Sequence, residues 1–286
     1  MIYLAPEVRS GLGEDTFWLW FEREVGGTFN DPPRELKDED ALLQYSTLGA
    51  PRCRGKNTIA LLWELLPEMR AIGIPGLDAR IAKTEECAKA CNLRVVATDL
   101  ARPFYEHCGP MVTIPIGVNT RLFRPVGFSE KQAIRQHAWR RTRSRVFDSS
   151  KIGFWCGTRH PMKGFLRLLD FAGENREITW IVVWKSREEG CYMPGALNVY
   201  GTDQHSLADL MRAADLVYCP GLLGPFFMAE WEAMASDLEV VIPPDSPKKD
   251  FIPGLSPRVD LLARGWDRGA VKATWVNWLK SLGVRW

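Results

Sequence analysis

At 286 residues, 46% hydrophobic and 25% charged, the chain has a globular composition rather than that of a disordered or low-complexity protein, and its length accommodates two modest domains of roughly 100 to 150 residues. A formal net charge of +2 singles out no class of partner. The longest clean apolar run, Trp180 to Trp184, is far below the roughly 20 residues of a membrane helix, and the chain enters Ile2-Tyr3-Leu4 with no basic leader, so the expectation is a cytoplasmic protein without a transmembrane segment.

Met1 to Ala5 reads as a short apolar strand, and Ser10-Gly11-Leu12-Gly13 opens a helix carrying Phe17, Trp18 and Phe21. Free backbone N–H groups at such a turn suit a phosphate, which makes Gly11 and Gly13 candidate binding residues, although Gly-x-Gly alone fits a plain turn equally. Thr28 to Asp40 is a polar loop; its Asp38-Glu39-Asp40 run fits a solvated charge cluster better than a metal site. Ala41 to Ser46 and Thr58 to Trp63 predict strands, Ala79 to Ala90 a helix, Leu93 to Ala97 a buried strand, and the segment through Phe104 and His107 a further helix. Cys87 and Cys91 lie one helical turn apart with no histidine pair nearby; among seven cysteines none forms a Cys-x-x-Cys pair, which points to reduced structural thiols rather than zinc.

Val112 to Pro125 leads out of this first region, and Arg121 to Arg145 then concentrates eight basic residues against a single acid, Glu130. Such a segment is either a solvated linker helix or a surface that attracts a polyanion, in which case Arg135 to Arg145 is expected to line a cleft between the domains. Lys151 to Cys156 is a strand, and Gly157-Thr158-Arg159-His160-Pro161-Met162-Lys163-Gly164 a turn into a helix, offering a cation and a helix N-terminus to an anion. Thr179 to Trp184 and Leu197 to Tyr200 are strands, the latter ending in Gly201-Thr202. Ser206-Leu207-Ala208-Asp209 has the form of a capping box that starts the next helix. Leu216 to Cys219, a Pro/Gly turn, a helix through Glu230 to Ala235 and a strand at Val240 to Ile242 form a strand-turn-helix-strand unit, from which a helix carboxylate reaches a nucleotide at the strand ends. A last helix carries Val271, Trp275, Trp278, Leu279 and Leu282 on one face. Strands alternating with helices at this spacing predict doubly wound parallel sheets.

Three of these segments carry a resemblance. Ile114-Pro115-Ile116-Gly117-Val118-Asn119, continuing to Phe123 and Pro125, resembles the I-P-N-G-V-D-x-x-x-F-x-P phrase of the group 1 glycosyltransferases, the retaining enzymes of GT-B fold. Gly157 to Gly164 resembles that family's G-R-x-x-x-x-K-G loop, with Thr158 in the arginine's place and Arg159 one step late. Glu232-Ala233-Met234-Ala235 matches its E-A-M-A helix, while the glutamate expected eight positions earlier falls on Gly224. The resemblance implies a GT-B architecture of two Rossmann-like doubly wound domains facing a cleft: residues 1–125 on the acceptor side, 126–262 binding the donor, and a helix in 263–286 crossing back to the first domain. It implies hexosyl or pentosyl transfer from a nucleoside-diphosphate sugar with retention, needing neither metal nor cofactor. Lys163 would neutralise the leaving diphosphate within a cradle of Gly157, Thr158 and Arg159, Glu232 would bind the ribose hydroxyls, and Gly201 and Thr202 would lie against the base. Gly224 in place of a sugar-contacting acid implies an altered sugar pocket, a substitute acid such as Glu230, or lost catalysis. The acceptor is a glycan, a lipid-linked sugar or DNA; the short chain and the arginine-rich segment suit a phage-type enzyme that modifies hydroxymethylated bases. A non-catalytic nucleotide-sugar-binding module is the reading from another class.

Overall fold

The computed structural model describes residues 1–5, 14–62, 77–159, 161–187, 190–221, 228–246 and 257–285. The chain forms two compact units. One comprises residues 1–117 together with 268–286, and the other lies within 118–267.

The first unit is built on a parallel sheet of β1 (Ile2–Ala5), β2 (Ala41–Tyr45), β3 (Thr58–Leu62), β4 (Leu93–Val96) and β5 (Met111–Thr113), in that spatial order. Every residue of β2 and β3 is buried, as strands covered on both faces require. Helix α2 (Leu77–Ala90) and the single turn α3 (Arg102–Tyr105) cover the sheet through a core of Ala60, Leu62, Cys87, Ala88, Cys91, Val96, Ala101 and Tyr105. Helix α1 (Glu14–Glu24) contributes Phe17 and Phe21 to an aromatic cluster completed by Trp275 of α9 (Arg268–Ser281); the Phe21 and Trp275 rings meet edge to face at 5.1 Å. Gly117 approaches α9 so closely that an added Cβ would lie 2.9 Å from Arg268 Cα, so only glycine fits there.

The second unit holds β6 (Lys151–Gly157), β7 (Ile178–Trp184), β8 (Leu197–Tyr200), β9 (Leu216–Tyr218) and β10 (Glu239–Val241) in the spatial order β10-β9-β6-β7-β8, all parallel. Its helices are α4 (Phe128–Thr142), α5 (Phe165–Glu174), α6 (Gln204–Ala213), α7 (Met228–Ala235) and α8 (Pro257–Ala263). Trp155, Trp180, Trp184, Phe165, Leu168 and Tyr218 form the core beneath α5.

The parallel α/β architecture is the one expected. The reversal of direction that defines a doubly wound sheet occurs in the second sheet, where the chain leaves β8 and returns to the far side of β6. The first sheet steps one way throughout, because each connection sets its next strand on the same outer edge. At α6 the cap is Asp203, not Ser206: its carboxylate accepts from the Ser206 amide at 2.9 Å and from the Ser206 hydroxyl at 2.8 Å. An ionised acceptor at the cap position outcompetes a hydroxyl three residues inside the helix. No described helix is long and apolar enough to cross a membrane.

Candidate functional site

In an open parallel sheet, ligand groups gather at the carboxyl edge where the strand order reverses, because the two connections there diverge and leave a crevice. In the second unit that point lies between β6 and β9. Beyond Gly157, the last residue of β6, the chain makes a tight turn at Pro161–Lys163 and enters α5 at Gly164.

This loop is held from three sides. The Trp155 indole Nε1–H donates to the Lys163 carbonyl at 3.4 Å. A Cβ built on Gly157 would sit 3.3 Å from Lys163 Cβ, so the loop folds back on the strand it leaves. Gly164 has φ +69°, and the Pro220 carbonyl oxygen beyond β9 lies 2.7 Å from where its Cβ would be, which leaves room for glycine alone. Beneath lies an aromatic floor: Phe165 and Trp184 rings are 4.7 Å apart, and Trp155 and Trp184 are 5.2 Å apart. Lys163 therefore stands half-buried on a loop that packing holds in one place.

Helix α7 supplies the carboxylates. Residues 230 to 235 are all buried, with Glu230 at 0% and Glu232 at 4% exposure, although residues two apart point to different helix faces. A stack of Trp231 on Trp266, 5.2 Å between centroids, and Arg258, which donates to the Ala235 and Phe123 carbonyls, fix the helix from its outer side. Burial, followed by the charge of Glu232, pushes the Cys156 thiol up to about 12 against the opposing pull of Lys163, with Glu230 adding to the rise. Cys156 thus stays a neutral thiol at physiological pH and offers no nucleophile. Nothing in the sequence distinguished it from a core cysteine.

The other expected donor residues follow along the same edge. The Lys185 amide donates to the Gly157 carbonyl at 3.1 Å, and the Gly201 amide, at φ +56°, to the Trp184 carbonyl at 3.0 Å. Gly201 and half-buried Thr202 thus leave β8 at the carboxyl edge. Thr158 is half-buried in the lysine loop, whereas Arg159 is exposed and its guanidinium lies against Gly190, in the segment after β7. From β9 to β8 the edge spans three strand spacings, about 14 Å. Gly11, Gly13, His160 and Gly224 lie outside the described residues. His107 is exposed in the first unit, its Nε2 3.4 Å from Cys108 Sγ. Among the described residues no cluster of His, Cys, Asp and Glu is arranged to hold a metal.

Arg135 does not belong to an open cationic surface. It is 7% exposed, donates Nε–H to the Ala213 carbonyl at 2.8 Å, and grips both oxygens of Asp215 at 2.9 and 2.7 Å; Lys131 pairs with Asp215 at 3.0 Å. Burial pushes the Asp215 carboxyl up, but the Ile152 amide, Lys131 and Arg135 together outweigh it and hold the group below the usual carboxylate range. These residues pin α4 to the amino edge of the sheet, where a concavity of about 480 Å³ lined by Phe128, Gln132, Phe147 and Ser150 opens beside them.

Solved structures share this architecture. Sucrose-phosphate synthase from Thermosynechococcus elongatus superposes with a TM-score of 0.59 at 15% identity, over 85% of this chain and 69% of that one. Anabaena HepE, solved in complex with UDP and glucose, superposes with a TM-score of 0.60 at 13% identity, over 99% of this chain and 95% of that one. The fold is GT-B. The α,α-trehalose 6-phosphate synthase of Burkholderia multivorans shares the GT-B fold at a TM-score of 0.55 and 12% identity, over 86% and 72% of the two chains. No family model and no curated protein matches the sequence. Within the GT-B frame, the lysine loop and α7 both stand at the carboxyl edge of the second sheet.

Proposed function

We propose that the protein is a cytoplasmic glycosyltransferase that moves a hexosyl or pentosyl group from a nucleoside-diphosphate sugar to an acceptor hydroxyl with retention, and without a metal. The observation that carries this reading is the placement of the packed lysine loop and of the buried α7 carboxylates at the reversal point of a parallel sheet. As the anomeric bond breaks, negative charge builds on the diphosphate. Lys163, with the first amides of α5, neutralises it, and because packing already fixes the loop, little reorganisation is spent in the transition state. Glu232 accepts from the ribose hydroxyls, while Gly201 and Thr202 lie against the base. The acceptor is a glycan or a lipid-linked sugar.

Calorimetric titration with a panel of nucleoside-diphosphate sugars tests the reading. One of them should bind, and Lys163→Ala should weaken it by roughly 2–4 kcal/mol, because a desolvated phosphate charge is left uncompensated. Equal affinity in the variant would remove Lys163 from the site. Release of nucleoside diphosphate on adding acceptor separates transfer from a module that only binds the donor. A second reading, a phage-type enzyme acting on hydroxymethylated bases of DNA, draws support from Arg140, Arg141, Arg143 and Arg145 at and beyond the end of α4, exposed and without an ion-pair partner among the described residues.

A further inference from the structure

Seven of the eight basic residues of the 121–145 segment divide into two sets, with exposed Arg121 at its start standing apart from both. Arg124 is paired with Glu130, and Lys131 and Arg135 with Asp215. Arg140, Arg141, Arg143 and Arg145 are all exposed, and among the described residues none has an ion-pair partner or a side-chain hydrogen bond. The sequence holds no acid between Glu130 and Asp148 to neutralise them. Cations in the last turn of a helix favour its C-terminal dipole, which accounts for Arg140 and Arg141. Arg145 lies past the helix end, beyond the reach of that dipole.

The cluster is also stiffened. Arg143 caps α4 in the left-handed conformation, φ 56°, its amide donating to the Trp139 carbonyl at 2.7 Å, and its guanidinium folds back over the Trp139 ring at 4.8 Å. Trp139 remains 37% exposed. Residues 144–150 then lead directly into the amino end of β6, the end opposite the lysine loop; seven residues of strand separate the two, about 20 Å. Both surfaces can therefore be occupied at once.

We infer that this end of α4 is a docking surface for the phosphodiester backbone of nucleic acid. Four arginines present planar forks that match phosphate oxygens bidentately, and the half-exposed Trp139 offers a face to an unpaired base. An interfacial membrane helix needs a continuous apolar face beside its cations. Here Trp139 is the only large apolar side chain between His137 and Arg145, and an arginine covers part of it.

The test needs no donor, so its outcome is independent of the reading of the sugar site. Fluorescence anisotropy of labelled single-stranded and duplex oligonucleotides of about 20 residues, titrated with the full chain from about 20 to 200 mM salt, should give a log affinity that falls linearly with log salt, with a slope of about −3 to −4. Arg140→Glu with Arg141→Glu should flatten the slope by about two and cost at least ~10-fold in affinity at low salt, with nucleotide-sugar binding unchanged. Lys163→Ala should bind oligonucleotide as the parent does. The inference fails if neither oligonucleotide binds at low salt, or if the double variant keeps the parent slope. It fails equally if phosphatidylcholine vesicles containing phosphatidylserine sediment the chain while oligonucleotides leave it free.

Discussion

Single residues decide whether the lysine loop stands where it does. Gly164 combines a left-handed backbone with a carbonyl 2.7 Å from its missing side chain. Gly164→Ala should therefore lower stability by at least ~2 kcal/mol in chemical denaturation, since strain and a backbone clash act together. Asp215 carries a different load. With its carboxyl held below the ordinary range, its contribution is fully present above the unfolded value near ~3.9 and is lost as pH falls through the lower folded value. Asp215→Asn should cost about 2–3 kcal/mol at neutral pH, because buried Arg135 loses its counterion, and the variant's denaturation midpoint should respond less to pH below about 4 than the parent's. These two residues also mark how far the sequence alone could be read. Lys163-Gly164 stood out because its neighbours in the chain form the loop. Arg135 looked no different from Arg140, because the acid that buries it lies 80 positions away.

At the scale of elements, the strands were legible where both faces are covered, since an unbroken apolar run such as Trp180–Trp184 of β7 is too short for a buried helix. Cap chemistry was harder to read: a serine three residues inside α6 has the same local spacing as a true cap, and only the carboxylate at Asp203 separates them. Helix α9 was legible by its stripe, of which Val271, Trp275 and Leu279 are each 0% exposed. Trp275→Ala should remove about 3–5 kcal/mol from the first unit, because the edge-to-face contact with Phe21 and the tilted contact with Phe17 vanish and a large void replaces them. A loss under ~1 kcal/mol in urea unfolding would mean that α9 rests on the unit without completing it.

For the whole molecule, the pattern of alternating strands and helices made the two-sheet α/β plan legible, while the direction in which the first sheet grows was not, because periodicity reports which faces are covered and says nothing of spatial order. The two units differ in how the chain supplies them: the second is drawn from 118–267, whereas the first needs 268–286 to complete it. A fragment of residues 118–267 should unfold cooperatively on heating, followed by circular dichroism, and a fragment ending at 117 should not. Failure of the longer fragment to fold would show that the second unit leans on the first. The arrangement also sets an order of events on the ribosome. The segment made first is the one that must wait, with Phe17 and Phe21 uncovered until Trp275 emerges, while the segment made after it is free to finish earlier. Nascent chains stalled between about 117 and 268 should accordingly be the forms that chaperones hold longest, and slower translation through that interval would lengthen the exposure rather than relieve it.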